Sequence, residues 1–177
     1  MSRRPKQGLD RDVEQFHRPP VDAVVALGAN LGDRSETLSA AVDELRRLPL
    51  VDAVRVSGAV ESVAVKPEGP DAAAPPYLNA VAIVTTRLAP SVLLSYLHAI
   101  ESRHGRQRRE RWGDRTLDLD LIAFGDVRSS DPRLTLPHPR AAERDFVLAP
   151  WLSLDPDGEL PGAGRIDALL DQLRTSR

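Results

Sequence analysis

RHGRQRRERWGDRTLDLDLIAFGD, residues 103–126, is the stretch on which the fold turns. Arginines crowd its first half: Arg103, Arg106, Arg108, Arg109, Arg111 and Arg115. A Trp112-Gly113-Asp114 turn interrupts them. The second half alternates, Leu117-Asp118-Leu119-Asp120-Leu121, as a strand does. Successive side chains of a strand point to opposite faces, so Asp118 and Asp120 share one face. They sit about 6.6 Å apart along it, at roughly 3.3 Å per residue. The three leucines turn the other way, into a core. A carboxylate pair on a rigid strand beside guanidinium groups suits a polyphosphate with its magnesium ions. The carboxylates hold the hard cation and the arginines neutralise phosphate oxygens. An exposed strand face beside a solvated basic loop fits this stretch equally well.

Upstream, Pro90 to about His104 carries Val92, Leu93, Tyr96, Leu97 and Ile100 at helical spacing, and Gly105 is a natural stop. Glu101 lies near the C-terminal end of that helix, where the dipole disfavours an anion. A functional partner explains it, and so does an i, i+4 contact with a basic neighbour. His98 lies one turn earlier, and a lone helix histidine is more often structural. Before the helix, Tyr77–Thr86 reads as a strand with Tyr77, Asn79, Val81 and Ile83 on one face. The Asn79 amide has donors and acceptors suited to a heterocycle edge; a turn or edge residue is its plainer reading. Residues 66–76 are proline-rich and read as a surface flap, and residues 51–65 as a strand interrupted at Gly58 and antiparallel to 77–86. Ser35 is the expected cap of a helix running to Leu48, with Leu38, Ala41, Val42 and Leu45 on its apolar face. Val21–Ala29 is a buried strand that ends in the glycine-bearing turn Gly28-Ala29-Asn30-Leu31-Gly32-Asp33. Residues 1–20 are polar and read as a disordered N-terminal extension, leaving 21–177 as a single domain.

Downstream, residues 127–133 read as a polar turn. Residues 134–139 are a short extended segment whose prolines, Pro137 and Pro139, present His138 stiffly. Residues 141–152 look helical, with Arg144 and Phe146 near the start and Pro150 as a break. A loop over 155–164 and a short amphipathic helix over 166–173 close the chain. The order is β-α-β-β-α-β with a tail. This is an α+β, ferredoxin-like pattern: a mainly antiparallel sheet, helices packed on one face, and a C-terminal helical extension.

The formal net charge is −2, so the arginine density is local and no global bias toward nucleic acid or membrane exists. The absence of cysteine excludes disulfides, thiolate metal sites and cysteine nucleophiles. No apolar run approaches the ~20 residues of a membrane span, and the N-terminus lacks a signal peptide's apolar segment. A cytoplasmic protein is expected. There is no Walker phosphate loop.

Taken together, the stretches resemble 6-hydroxymethyl-7,8-dihydropterin pyrophosphokinases of folate biosynthesis. The resemblance is carried by Gly28–Asp33, Tyr77-Leu78-Asn79-Ala80, Ile100-Glu101 with Gly105-Arg106, Arg111–Asp120, and Leu136-Pro137-His138-Pro139-Arg140 followed by Arg144–Leu148. It implies pyrophosphoryl transfer from ATP to the pterin's hydroxymethyl oxygen, with AMP released. It implies that Asp118 and Asp120 bind two magnesium ions, and that Arg106, Arg115, His138 and Arg144 contact the nucleotide. His98 and Glu101 match polar positions on the ATP side. Arg108 and Trp112 match a mobile catalytic loop; with Arg106 and Arg115 they form the expected catalytic group. Tyr77 and Phe146 match an aromatic pair that sandwiches the pterin, and Asn79 the residue that hydrogen-bonds its edge. The implied partners are two small molecules, ATP and the pterin, with no nucleic acid or membrane, and a monomer is expected. The chain departs from the pattern at Ala29 (usually Ser), at Asp114 (usually Pro), in a slightly shorter arginine loop, and in the flap. There Ser62–Pro67 replaces a Thr-x-Pro-like element and Ala72–Ala74 is inserted. None of these removes a metal ligand, a phosphate-binding arginine or the aromatic pair. An RNA-binding sheet of this topology needs exposed aromatics on its central strands, and the strands carry Val, Ile and Leu instead. A regulatory ligand-binding domain of the same fold explains neither the carboxylate pair nor Trp112 among the arginines.

Overall fold

The structure is a computed structural model and describes residues 18–66, 69–71, 75–105 and 116–176. Its sheet is organised on β1 (Val21–Ala29), which is antiparallel to β6 (Tyr77–Thr86) on one side and to β7 (Asp118–Phe124) on the other. β2 (Val51–Val56) and β3 (Val60–Ser62) both pair antiparallel with β6, giving the order β2-β6-β1-β7. The break between β2 and β3 keeps its pairing through a side chain. Ser57 N–H donates to the Val81 carbonyl, and Ser57 Oγ accepts from Val81 N–H, both at 3.0 Å.

Alternation divides the side chains between two cores. Val25, Leu27, Leu119 and Leu121 face α1 (Arg34–Arg46) and α2 (Pro90–Arg103), which contribute Leu38, Leu45, Leu93, Leu97 and Ile100. This is the expected ferredoxin-like arrangement, with both crossover helices on one face. The C-terminal extension covers the other face. α3 (Asp145–Leu154) and α4 (Ile166–Thr175) bury Val147, Leu148, Trp151, Ile166 and Leu170 against Val24, Val81, Ile83 and Ile122. The far end of that face carries Asn79, Gly28 and Asp118 instead of apolar side chains.

Several local expectations need correction. α1 is capped by Asp33, whose carboxylate accepts from Glu36 N–H at 2.9 Å; Ser35 lies inside the helix. Asp33-x-x-Glu36 is itself a cap signature. Pro150 does not break α3, which runs on to Leu154 with Val147, Leu148, Pro150 and Trp151 buried. That burial outweighs the one intrahelical donor the proline lacks. Three two-stranded ribbons were not expected: β4 (Ala64–Lys66), at the end of the stretch read as one strand over 51–65, pairs with β5 (Gly69–Asp71) in the expected flap; β8 (Ser129–Asp131), in the expected turn, pairs with β9 (Leu134–Leu136) in the expected extended segment; and β10 (Glu159–Leu160) pairs with β11 (Gly164–Arg165) in the region read as loop. Among the described residues, no helix is long and apolar enough to cross a membrane.

Candidate active site

Strand register builds the site. Gly28 of β1 faces Asn79 on β6 and Asp118 on β7, and Ala26, one step along the same face, faces Val81 and Asp120. Two rows therefore cross three strands with the smallest side chains in the middle. A Cβ at Gly28 would stand 3.3 Å from Asn79 Oδ1 and 3.5 Å from Tyr77 Cδ1. The glycine thus leaves a shallow floor between an amide and an aromatic ring on one side and two half-buried carboxylates on the other.

On the β7 side, Arg144 Nη1 donates to Asp120 Oδ2 at 2.8 Å, and its guanidinium lies 5.9 Å from the Phe146 ring centroid. One arginine so links the carboxylate to the aromatic ring. His138 is fixed by the backbone. β7 bulges at Ile122, which has no partner in the β1 register, and the Ile122 carbonyl accepts His138 N–H at 2.8 Å. His138 Nδ1 accepts from Arg140 N–H at 3.2 Å, which leaves Nε2 to carry the proton of the neutral ring. Nε2 stands 4.0 Å from Asp120 Oδ2. Burial, opposed by the Asp120 charge, pushes the His138 imidazole below the ordinary histidine range. It is therefore a neutral donor at neutral pH. Glu101 is only 1% exposed, and its Oε1 accepts the Leu119 N–H at 2.9 Å on the edge of β7.

A cleft of about 220 Å³ joins these groups: His98, Glu101, Asp120, Arg133, Thr135 and His138 all line it. The fold thus brings four expected nucleotide-side residues together or onto one cleft: His98, Glu101, His138 and, through Asp120, Arg144. Arg133 and Thr135 were missed by the sequence reading. They sit on the β8–β9 ribbon, whose signal was a Pro132-containing turn between short alternating segments. On the β6 side, Asn79 is 6% exposed and bonded to β3, and Tyr77 lies beside Gly28; Phe146, at the start of α3, packs partly against the second core. Arg106, Arg108, Trp112 and Arg115 lie outside the described residues. A larger hollow, about 440 Å³ and lined by Gly32, Asp33, Glu36 and His104 among others, contains none of the expected site residues. Its Asp33 carboxylate is engaged in capping α1.

A family model described as 7,8-dihydro-6-hydroxymethylpterin-pyrophosphokinase (HPPK) matches residues 24–156. The chain belongs to this family. Among similar HPPK sequences is the 2-amino-4-hydroxy-6-hydroxymethyldihydropteridine pyrophosphokinase of Pseudomonas aeruginosa, 45% identical over 146 residues, covering 82% of this chain and 88% of that one. The protein of the same name from Synechocystis is 41% identical over 152 residues, covering 85% of this chain and 75% of that one. The Haemophilus influenzae protein is 40% identical over 152 residues, covering 86% and 92%. Among solved structures, an HPPK-DHPS in complex with substrates superimposes with a TM-score of 0.66 at 11% identity, over 89% of this chain and 44% of that one. Wild-type Plasmodium falciparum HPPK-DHPS with pteroate gives 0.66 at 12% identity, over 86% and 44%. The chain spans less than half of these two proteins, and at such identity they speak for the HPPK fold alone.

Proposed function

We propose that the reaction runs over the Asn79–Gly28–Asp118 row, with the pterin on the Asn79 side and the nucleotide in the cleft on the β7 side. The chain is a pyrophosphokinase of folate biosynthesis: it transfers pyrophosphate from ATP, its co-substrate, to the hydroxymethyl group of 6-hydroxymethyl-7,8-dihydropterin. The observation that carries the assignment of sides is the register, which sets a flat-ligand floor directly against two carboxylates.

Asp118 and Asp120 fit a hard cation. Magnesium takes one or two carboxylates and completes its shell with phosphate oxygens and water, and among the described residues no group of three or more acidic or histidine side chains is available to cage it. Two ions, held by Asp118 and Asp120, are proposed. Bound there, magnesium supplies neutralisation of phosphate charge and a lowered pKa for the attacking alcohol. The protein's own groups do the rest. Arg144 meets phosphate charge with a guanidinium already anchored at Asp120. Neutral His138 offers Nε2–H without adding charge. Asn79 reads the heterocycle edge, and Tyr77 with Phe146 stacks on its faces. Arg106 and Arg115 contact phosphates, while Arg108 and Trp112 close over the site and exclude water, which would otherwise compete as acceptor. Catalysis is then positioning plus charge neutralisation. We also propose a monomeric, cytoplasmic enzyme with residues 21–177 as one pyrophosphokinase domain and no nucleic-acid or membrane partner. The family match to 24–156 and the packing of α4 on α3 support the domain assignment.

Phosphorus NMR of the chain with ATP and magnesium tests this reading. AMP and pterin pyrophosphate should appear in equal amounts, and only when both magnesium and the pterin are present. ADP as the product, or AMP formed without pterin, would contradict it.

A further inference from the structure

One carboxylate joins the ends of the two crossover helices. Glu44 stands in the last turn of α1, and its two oxygens go to consecutive residues at the end of α2. Oε2 accepts from Arg103 Nε at 2.7 Å, and Oε1 pairs with His104 Nε2 at 2.7 Å. A carboxylate there meets the unfavourable end of both helix dipoles, so it is these two partners that hold it. α2 stops at this point. His104 is its C-cap, the Gly105 N–H donates to the Ser102 carbonyl at 3.3 Å, and Gly105 turns the chain with φ +83°. A Cβ at Gly105 would stand 3.9 Å from Thr116 Oγ1. The two points that bound the stretch 106–115 therefore lie side by side, one at the end of α2 and the other two residues before Asp118 of β7.

We infer that Glu44 is a positioning residue for the transfer step: by clasping Arg103 and His104 it fixes the end of α2, and with it the point from which Arg106 is presented to the Asp118 side. The inference rests on the reading of Arg106 as a residue that contacts phosphate. The last turn of a helix opens at little cost in free energy, and the glycine that follows it has the widest choice of backbone conformation. Arg106 comes next in the chain. Asp118, by contrast, is held by its pairing with β1. The clasp removes this mismatch, because it ties the end of α2 to a residue whose neighbour, Leu45, is fully buried in the first core. Transfer depends steeply on the placing of the groups around the reacting atoms, so a loose origin for Arg106 lowers the rate. Glu44 lies neither in the cleft nor on the floor. Its loss should therefore leave substrate binding in place.

The test is a double-mutant cycle on the full chain with Glu44→Ala and Arg106→Ala. kcat and KM are read from AMP release, at a temperature where circular dichroism shows every variant folded. Glu44→Ala should lower kcat about tenfold, less than the loss that a full ångström of misplacement brings. KM for both substrates should stay within about twofold of wild type, since ground-state binding is untouched. With Arg106 already removed, Glu44→Ala should lower kcat hardly further, because the group it positions is gone. A purely structural role would instead give losses that multiply, and that result would overturn the inference. Wild-type kcat in Glu44→Ala, with Arg106→Ala impaired, would overturn the role of Glu44 while the Arg106 reading stands. Wild-type kcat in Arg106→Ala would remove that reading, and the inference with it. Should Glu44→Ala fail to fold, Arg103→Ala combined with His104→Ala empties the clasp from the other side, and the same cycle with Arg106→Ala decides.

Discussion

Gly28 is where a single atom decides whether the site exists. Its backbone is unstrained, so alanine there is conformationally acceptable, and a strand interior gains roughly 0.5–1 kcal/mol when glycine becomes alanine. The added Cβ would nevertheless stand 3.3 Å from Asn79 Oδ1 and beside the Tyr77 ring, on the floor itself. Gly28→Ala should therefore weaken pterin binding about tenfold or more while the melting temperature stays level or rises. Calorimetric titration beside a thermal melt reads both, and unchanged affinity would show that the ligand does not lie over β1. The facing of Asp118 and Asp120 was legible in the sequence, since strand alternation is a property of adjacent residues. The pairing of Gly28 with Asn79 and Asp118 was not. Register between strands some 50 and 90 residues apart along the chain is set by packing and bulges, which no local pattern displays. The bulge at Ile122 that anchors His138 is of the same kind: only the β1 pairing reveals it.

Elements are tied together by polar side chains at their ends. Glu44 of α1 accepts from Arg103 Nε at 2.7 Å and pairs with His104 Nε2 at 2.7 Å, joining the two crossover helices near the C-terminus of α2. Burial raises the Glu44 carboxyl, but the hydrogen bonds from Arg103 and His104 outweigh it and leave the group below its ordinary range. A carboxyl lowered in the folded state contributes stability above its unfolded pKa and loses it as the pH falls through the folded value. Glu44→Gln should thus cost about 1 kcal/mol at pH 7, the upper range for a pair this accessible. The gap between wild type and variant should close as the pH drops from about 4.5 through the lower folded value. Urea unfolding at several pH values measures it, and a gap that persists in acid would argue against the charge as its source. Helix spans and apolar faces were readable because helical periodicity is local. The β8–β9 ribbon, which carries Arg133 and Thr135 to the cleft, and the passage of α3 through Pro150 were not. In both, tertiary packing overrides a local turn or break signal.

At the scale of the whole molecule, the sheet is enclosed by two helix pairs, and the C-terminal pair completes the second core. Ile166 and Leu170 are 0% and 2% exposed against α3 and the sheet. Ending the chain before Ile166 removes both and uncovers their partners. At roughly 1.5–3 kcal/mol per buried aliphatic side chain, the loss is about 3–6 kcal/mol, a large share of the roughly 5–15 kcal/mol that holds a domain together. The truncated chain should melt at a much lower temperature or aggregate, as circular dichroism would record; an unchanged melt would make α4 dispensable. The ferredoxin-like order was legible from the sequence of strand and helix patterns. The face taken by the extension was not, because an amphipathic helix shows which of its own sides is apolar and not which layer it will meet.

The central claim is that transfer takes place at the Asp118 and Asp120 face, and steady-state turnover of Asp118→Asn and Asp120→Asn tests it most directly. Each change removes one negative charge and keeps the side chain's shape. Each should lower magnesium-dependent AMP formation by roughly 10³-fold, about 4 kcal/mol of transition-state stabilisation, while circular dichroism reports a folded protein. Wild-type turnover with unchanged magnesium dependence in either variant would contradict the account and move the reaction away from this face of the sheet.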